Sequence, residues 1–313
     1  MLLRHLHYLV AIANERHFAR AAETCGVAQP TLSSGIKQLE EELGLLIVRR
    51  GQRFQGFTPE GQRVLEWARL IVSDCASLKQ DAEVFREGLG GRLRLGAIPT
   101  TLPMVSAVTA PFARDHPHVV ITVLSLSSID IQSGLGDFSL DAGLTYLDNE
   151  PLAGVRAIPL YRERYFLFTA SEGAFRGRTS VSWKEAAEVP LCLLTPDMQN
   201  RRIVDAHFRD AGAVPRPSIE TNSVITLCSH LQSGEWSSVL PQTFLGLFGE
   251  PFGSRAIPLV EPEVSHSIGL VIPDREPLTP SARHLAQLVA RPDVIAGVAL
   301  MTGPEGAAPL GRK

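Results

Sequence analysis

The sequence predicts an α/β protein with an all-α N-terminal part, and three observations predict it. Apolar residues recur at helical spacing through the first 57 residues, and a second run continues by fours and threes from 64 to 89. From about 92 to 293, short apolar runs, often β-branched, alternate with helical patterns. The 313 residues exceed one ordinary domain, and 44% hydrophobic with 20% charged is a globular composition.

In the first segment Leu6, Leu9, Val10 and Ala13 mark one helix, and Phe18, Ala21, Ala22 and Cys25 mark a second that Gly26 closes. Only "GVA" separates it from Gln29-Pro30, where Leu32, Ile36, Leu39 and Leu43 define a third helix. This spacing leaves Thr31, Ser34, Gly35, Lys37 and Gln38 facing outward. Two short helices, a tight turn and a third helix with small hydrogen-bonding groups outside make a helix-turn-helix, whose last helix can enter a DNA major groove. A plain solvent-facing hairpin would carry Glu, Lys and Arg on that face. Here the first turns hold no acid, and "EEE" at 40–42 lies at the far end, where it would not repel a phosphate at the helix start. Arg49, Arg50 and Arg53 follow without an intervening acid, on a chain whose net charge is −3.

The second segment is one long helix. Thr58 suits its N-cap, Pro59 its first position and Glu60 its positive end. Val64, Ala68, Ile71, Cys75, Leu78, Ala82, Phe85 and Leu89 then form a seam of the coiled-coil kind, which predicts dimerisation. The alternative is a helix lying on its own domain. In the third segment "RLRLGAIP", "VVITVLSL", "DAGLTYL", "YFLFTA", "LCLLT" and "IGLVIP" read as strands, expected parallel, with ligands at their carboxyl ends. Thr100 and Thr101 open a helix after the first strand, an arrangement that suits a small carboxylate. The competing role for such hydroxyls is to cap their own helices. The last residues, "GPEGAAPLGRK", are expected to be flexible.

Other function classes find little support. No apolar run reaches about 18 residues, and the N-terminus has neither an uninterrupted apolar core nor a small-residue cleavage site, so a cytoplasmic protein without a membrane partner is expected. Cys25, Cys75, Cys192 and Cys228 show no CxxC spacing, so no metal or cofactor is expected. Ser34 and Lys37 have the S-x-x-K spacing of an acyltransferase nucleophile and base, but the K-T-G and S-D-N elements that would accompany them are missing, and no catalytic residue is assigned.

Over nearly its whole length the chain resembles LysR-type transcriptional regulators. The resemblance runs through "LRHLHYLVAIANERHFARAAETCGVAQPTLSSGIKQLEEELGLLIVRR" and "FTPEG", and continues in "GRLRLG" and "QSGEWSSVLP". It implies a winged helix-turn-helix over 1–57, a dimerising linker helix over 58–90 and a two-lobed effector domain over 91–293, similar to periplasmic binding proteins of type 2. Lobe I would hold 92–160 and 266–293, lobe II 161–265, with a flexible tail over 294–313. It also implies a dimer of dimers, contact with RNA polymerase, and promoter DNA as the partner of Gln29, Pro30, Thr31, Ser33, Ser34, Lys37, Arg49, Arg50 and Arg53. Ser128 and Thr195 would join Thr100 and Thr101 in the inter-lobe cleft, with Tyr146 and Asn222 as further effector-binding candidates. The family usually carries Ser where this chain has Ala28, and Arg-Gln where it has Ser34-Gly35. "TYLDNEPL", "LCLLTPDMQNRR" and "EWSSVLP" are similar to regulators encoded beside formate dehydrogenases, which makes formate the expected effector. Regulation by aromatic or other organic acids, or cysteine-based redox sensing, is the alternative.

Overall fold

The computed structural model describes residues 2–49, 54–248 and 254–303, so Arg50 and Arg53 lie outside the described residues. The chain divides into two compact units, 1–88 and 89–313.

In the first unit α1 (Leu3–Glu15), α2 (Phe18–Thr24) and α3 (Gln29–Leu43) bury one shared core. Leu6, Leu9 and Ile12 from α1 meet Ala21 and Ala22 from α2 and Leu32, Ile36 and Leu39 from α3. Each large side chain taken out of water contributes about 1.5–3 kcal/mol. The turn between α2 and α3 depends on Gly26, whose φ of 65° is costly for any residue with a Cβ. After α3 the chain forms a short wing, in which Val48 and Phe57 make an antiparallel bridge and the Arg49 N–H donates to the Gly56 carbonyl at 3.0 Å. Glu40 ties the wing to α3 by accepting from the backbone N–H of Ile47 and Val48, at 2.8 and 3.1 Å.

The long helix α4 (Pro59–Glu87) starts at Thr58, whose hydroxyl accepts from the Gly61 N–H at 2.9 Å. Its seam divides by environment: Ala68 is fully buried in the core of the first unit, with Val64 and Ile71 packed against it, whereas Leu78 is 70% exposed. Trp67, off the seam, is 64% exposed. Leu89 does not continue the seam, because the helix ends at Glu87 and Leu89 is buried at the start of the second unit.

The second unit begins with β1 (Gly90–Ala97), then a 3-10 turn (Pro99–Met104), α5 (Val105–Asp115), β2 (His118–Ser125), α6 (Ser128–Gly136) and β3 (Ala142–Tyr146). It continues with β4 (Val155–Ala170), β5 (Val181–Ser182), α7 (Trp183–Ala186), β6 (Leu191–Leu194), α8 (Gln199–Asp210), β7 (Pro217–Thr221) and α9 (Val224–Gln232). It closes with β8 (Ser238–Pro241), α10 (Thr243–Phe248), β9 (Ser254–Val260), β10 (Ser265–Pro273), α11 (Pro280–Val289) and α12 (Pro292–Thr302). β1 pairs in parallel with β2 and β3, but β10 runs antiparallel to both β3 and β4, so the sheet is mixed and not the parallel one expected. Asp141 fastens β1 to β3 by taking the Arg94 guanidinium at two atoms, both at 3.1 Å, and the Arg94 N–H at 2.8 Å.

The 16-residue β4 serves two halves of the unit. Val155–Arg164 pair with β10 beside β1 and β3, while Tyr165–Ala170 pair with β8 and β9. A flexible tail starting at 294 is not what the structure shows: Pro292–Thr302 is helix, with Val294, Val298 and Thr302 buried. The valines supply the apolar face that composition alone did not reveal. No single described helix is long and apolar enough to cross a membrane.

Candidate functional site

Two places gather the residues that sequence reasoning singled out. The first is α3. Gln29, Pro30, Thr31, Ser33, Ser34 and Lys37 are all exposed, on the side opposite Leu32, Ile36 and Leu39. Ala28 provides no side-chain cap, Pro30 has no N–H, and the Thr31 N–H donates to the Ala28 carbonyl at 3.0 Å, so the Gln29 N–H is what the helix start can turn toward an anion. Each acid of "EEE" has a partner: Glu40 holds the wing, Glu41 lies 3.6 Å from Lys37, and Glu42 accepts from Gln38 at 3.4 Å. Arg49 is exposed at the wing.

Gly35 does not face outward as its position in the pattern suggested. It is buried, and a Cβ there would stand 2.8 Å from Cδ2 of Tyr8 and 3.1 Å from Cδ2 of His5. The glycine is therefore required by the close approach of α1 to α3, a contact that the third helix's own periodicity cannot report.

The second place is where the two halves of the second unit meet, through Thr145–Gln199, Tyr146–Asn200 and Glu150–Arg202. Thr100, at 0% exposure, has a hydroxyl with no hydrogen-bond partner of normal geometry, although it sits beside the Tyr146 hydroxyl. Thr101 is equally buried, but its hydroxyl donates to the Ile98 carbonyl at 2.9 Å and is used up in the local turn. Ser128 is not the cap of α6, because Ser127 accepts from the Asp130 N–H instead. The freed Ser128 hydroxyl donates to Glu150 and accepts from Arg202, both at 3.3 Å. Glu150 and Arg202 close that triangle with an ion pair of 2.7 Å between the halves.

Tyr146 is the hub of the cleft. Its hydroxyl donates to Glu163 Oε2 at 2.7 Å and accepts from Tyr165 at 3.2 Å and from the Asn200 amide at 3.0 Å. Tyr161 donates to the other Glu163 oxygen at 3.2 Å. Nearby the Thr145 hydroxyl donates to the Gln199 side-chain oxygen at 3.4 Å. Glu163 is fully buried, and burial, outweighing the two tyrosine hydrogen bonds, pushes its carboxyl up to about 8. It is therefore mostly protonated at neutral pH. Behind this network His266 and His207 meet at 2.7 Å through their Nε2 atoms, so one of the two must donate, and burial pushes the His207 imidazole down.

Of the remaining candidates, Thr195 has a buried hydroxyl without a partner, while Asn222 is exposed and takes part in none of these bonds. Sequence reasoning missed Gln199, Asn200, Glu150, Arg202 and Glu163. Gln199 and Asn200 open α8 after β6, the same strand-to-helix logic that singled out Thr100. Glu163 gave no such signal, since it lies among the charges of "LYRERY".

Cysteine chemistry has a poor setting here. Cys192 and Cys228 share one apolar cluster, and burial pushes both thiols up, that of Cys192 to about 11. A reactive thiol needs the opposite shift. Among the described residues no group of His, Cys, Asp and Glu is placed to hold a metal ion.

Comparison with known proteins adds an independent line. Residues 3–62 match the family described as bacterial regulatory helix-turn-helix protein, lysR family, and residues 86–292 match LysR substrate binding domain. The DNA-binding transcriptional dual regulator OxyR of Escherichia coli is 30% identical over 290 residues, covering 92% of this chain and 95% of that protein. A hydrogen peroxide-inducible genes activator of Haemophilus influenzae is 26% identical and covers 93% of this chain and 96% of its own length. Among solved structures, a full-length cysteine-substituted OxyR from Pseudomonas aeruginosa covers 96% of this chain and 95% of its own, with a TM-score of 0.74 at 24% identity. Full-length CbnR with its target DNA covers 92% of this chain and 99% of its own, at 0.65 and 19%. At such identities the two structures speak for the fold.

Proposed function

Because the chain belongs to the LysR family of DNA-binding regulators, we propose that it binds promoter DNA through α3 and the wing and reads a small carboxylate in the cleft of its second unit. Gln29, Thr31, Ser33 and Ser34 supply hydroxyls and an amide for base edges, Pro30 shapes the helix start, and Lys37, Arg49, Arg50 and Arg53 meet phosphates. The exposed Leu78 on α4 supports pairing of two copies, and the family resemblance supports a dimer of dimers acting on RNA polymerase.

One observation carries the effector reading. Thr100 and Thr195, one in each half of the unit, bury hydroxyls with no hydrogen-bond partner of normal geometry among the described residues. Such groups are costly unless a ligand or water satisfies them. Asn200, the uncapped start of α8 and the Tyr146 hydroxyl lie in the same cleft, and a protonated Glu163 adds no negative charge to repel an anion. Thr101 and Asn222 drop out of the binding set, the first because its hydroxyl is spent on Ile98, the second because it is exposed. Formate is the smallest acid that fits the reading; aromatic and larger organic acids are its competitors.

The names of the relatives favour a second reading, a response to hydrogen peroxide. The raised thiols of Cys192 and Cys228 speak against a cysteine route to it. Titrating the full chain with formate, benzoate, muconate and hydrogen peroxide, and following heat of binding and a promoter footprint, separates the two. Saturable formate binding, lost in Thr100→Val, is expected. Binding of the larger acids alone rejects formate, and a footprint that changes with peroxide but not in Cys192→Ser or Cys228→Ser replaces the carboxylate reading.

A further inference from the structure

We propose that the groove between α1 and α3 is a second DNA contact, in which Arg4 receives a backbone phosphate. The inference rests on the DNA-binding role of α3 and adds to it a residue from a helix that the sequence assigned only to the core.

The groove measures about 420 Å³ and is lined by Arg4, His5 and Tyr8 from α1 and by Pro30, Thr31, Ser34, Gly35 and Gln38 from α3. It therefore opens onto the same exposed residues that are proposed to read DNA. Gly35 creates it: with no Cβ at this position Tyr8 and His5 approach α3 closely, and Arg4, one helical turn before Tyr8, is carried to the rim.

Charge singles out Arg4. Lys37 is the cation that the helical pattern offers for this face, but it already lies 3.6 Å from Glu41. Arg4 is exposed and forms no ion pair with an acid among the described residues. A guanidinium with no acid partner among the described residues, beside the Thr31 and Ser34 hydroxyls, suits a phosphate. The groove wall holds a second unsatisfied group: His5 is 2% exposed, and its Nδ1 has no hydrogen-bond partner. The same contact accounts for the missing long side chains at Ser34-Gly35, since the cation reaching this part of the DNA comes from α1.

The test uses the full chain and a 30-base-pair duplex of random sequence, with binding followed by fluorescence anisotropy across a series of KCl concentrations. Arg4→Ala should weaken binding about three- to tenfold at fixed salt and reduce the slope of log affinity against log salt by about 0.9 for each groove that engages. Arg4→Lys should keep most of the slope, and Lys37→Ala should change it less than Arg4→Ala does. Because Arg4 is exposed, its substitution should leave the melting temperature of the chain unchanged, which separates lost contact from lost fold. A slope in Arg4→Ala equal to that of the parent chain overturns the second contact alone. Failure of the parent chain itself to bind the duplex overturns the DNA-binding reading together with it.

Discussion

The DNA-reading helix and the effector cleft treat polar groups in opposite ways. On α3 six exposed candidates lie within residues 29 to 37; helical spacing places Thr31, Ser34 and Lys37 outward, and the family resemblance adds Gln29, Pro30 and Ser33. In the cleft, Tyr146 is bonded to Glu163, Tyr165 and Asn200, which stand 17, 19 and 54 positions away. The first surface waits for a partner from outside, while the second satisfies most of its groups internally and, among the described residues, leaves the Thr100 and Thr195 hydroxyls and the Nδ1 of His207 short. A site assembled locally can be read from periodicity, whereas a site assembled across a sheet can be read only through its strand ends.

Changing pH should affect the two regions most differently. Glu163 sits at about 8 in the folded chain, against 4.5 for an ordinary glutamate, so folding holds a proton that unfolding releases. That contribution is whole below about 4.5 and is lost as pH rises through about 8, at up to about 1.4 kcal/mol per pH unit. Denaturant unfolding of the second unit should therefore weaken by several kcal/mol across this window, and Glu163→Gln should flatten the dependence. Hydrogen exchange in α1 and α3 should show no such trend. Carboxylate affinity should also fall above pH 8, when Glu163 acquires its charge.

Next in size is Tyr146→Phe, which removes the donor to Glu163 and the acceptor of Tyr165 and Asn200 while keeping the ring. A cost of about 3 kcal/mol to the second unit is expected, with DNA binding to random sequence unchanged. An unaltered denaturation midpoint would show that the cleft network is not a stabilising unit. Gly35→Val tests the other region: its side chain meets Tyr8 and His5, and overpacking of about 2 kcal/mol should reduce protection of α1 and α3 without touching effector binding. If thermal melting and exchange are both unaffected, the close approach of α1 to α3 is not what selects glycine.

The smallest effect is expected from Ser34→Arg. It should alter which sequences are preferred in a selection experiment more than it alters overall affinity. Equal loss on specific and random duplexes would mean that this part of α3 does not read bases.

Much of the fold was legible because each amphipathic segment reports its own buried face. The stripe Leu32, Ile36 and Leu39 is one case, and the fully apolar run of β6 is another. The same logic failed where packing between elements decides. Gly35 looked like a surface residue because nothing in α3 announces Tyr8, and Leu89 looked like helix because its spacing fits a seam that Glu87 ends. Ser127 and Ser128 make the point most simply. Either hydroxyl could cap α6, the structure gives the cap to Ser127, and Ser128 is thereby released to Glu150 and Arg202.

By itself, then, the sequence determined the three N-terminal helices, the long helix after Thr58 and the exposure of Thr31, Ser34 and Lys37 on α3, since these depend on residue spacing along one chain. Only the tertiary structure decided that Glu163 is buried among three tyrosines, that Thr100 and Thr195 are left unsatisfied, and that Arg4 joins α3 at a common groove. The reason is physical: burial and hydrogen-bond partnership are properties of the space between elements, and residues far apart in sequence fill that space only after the strands and helices have packed.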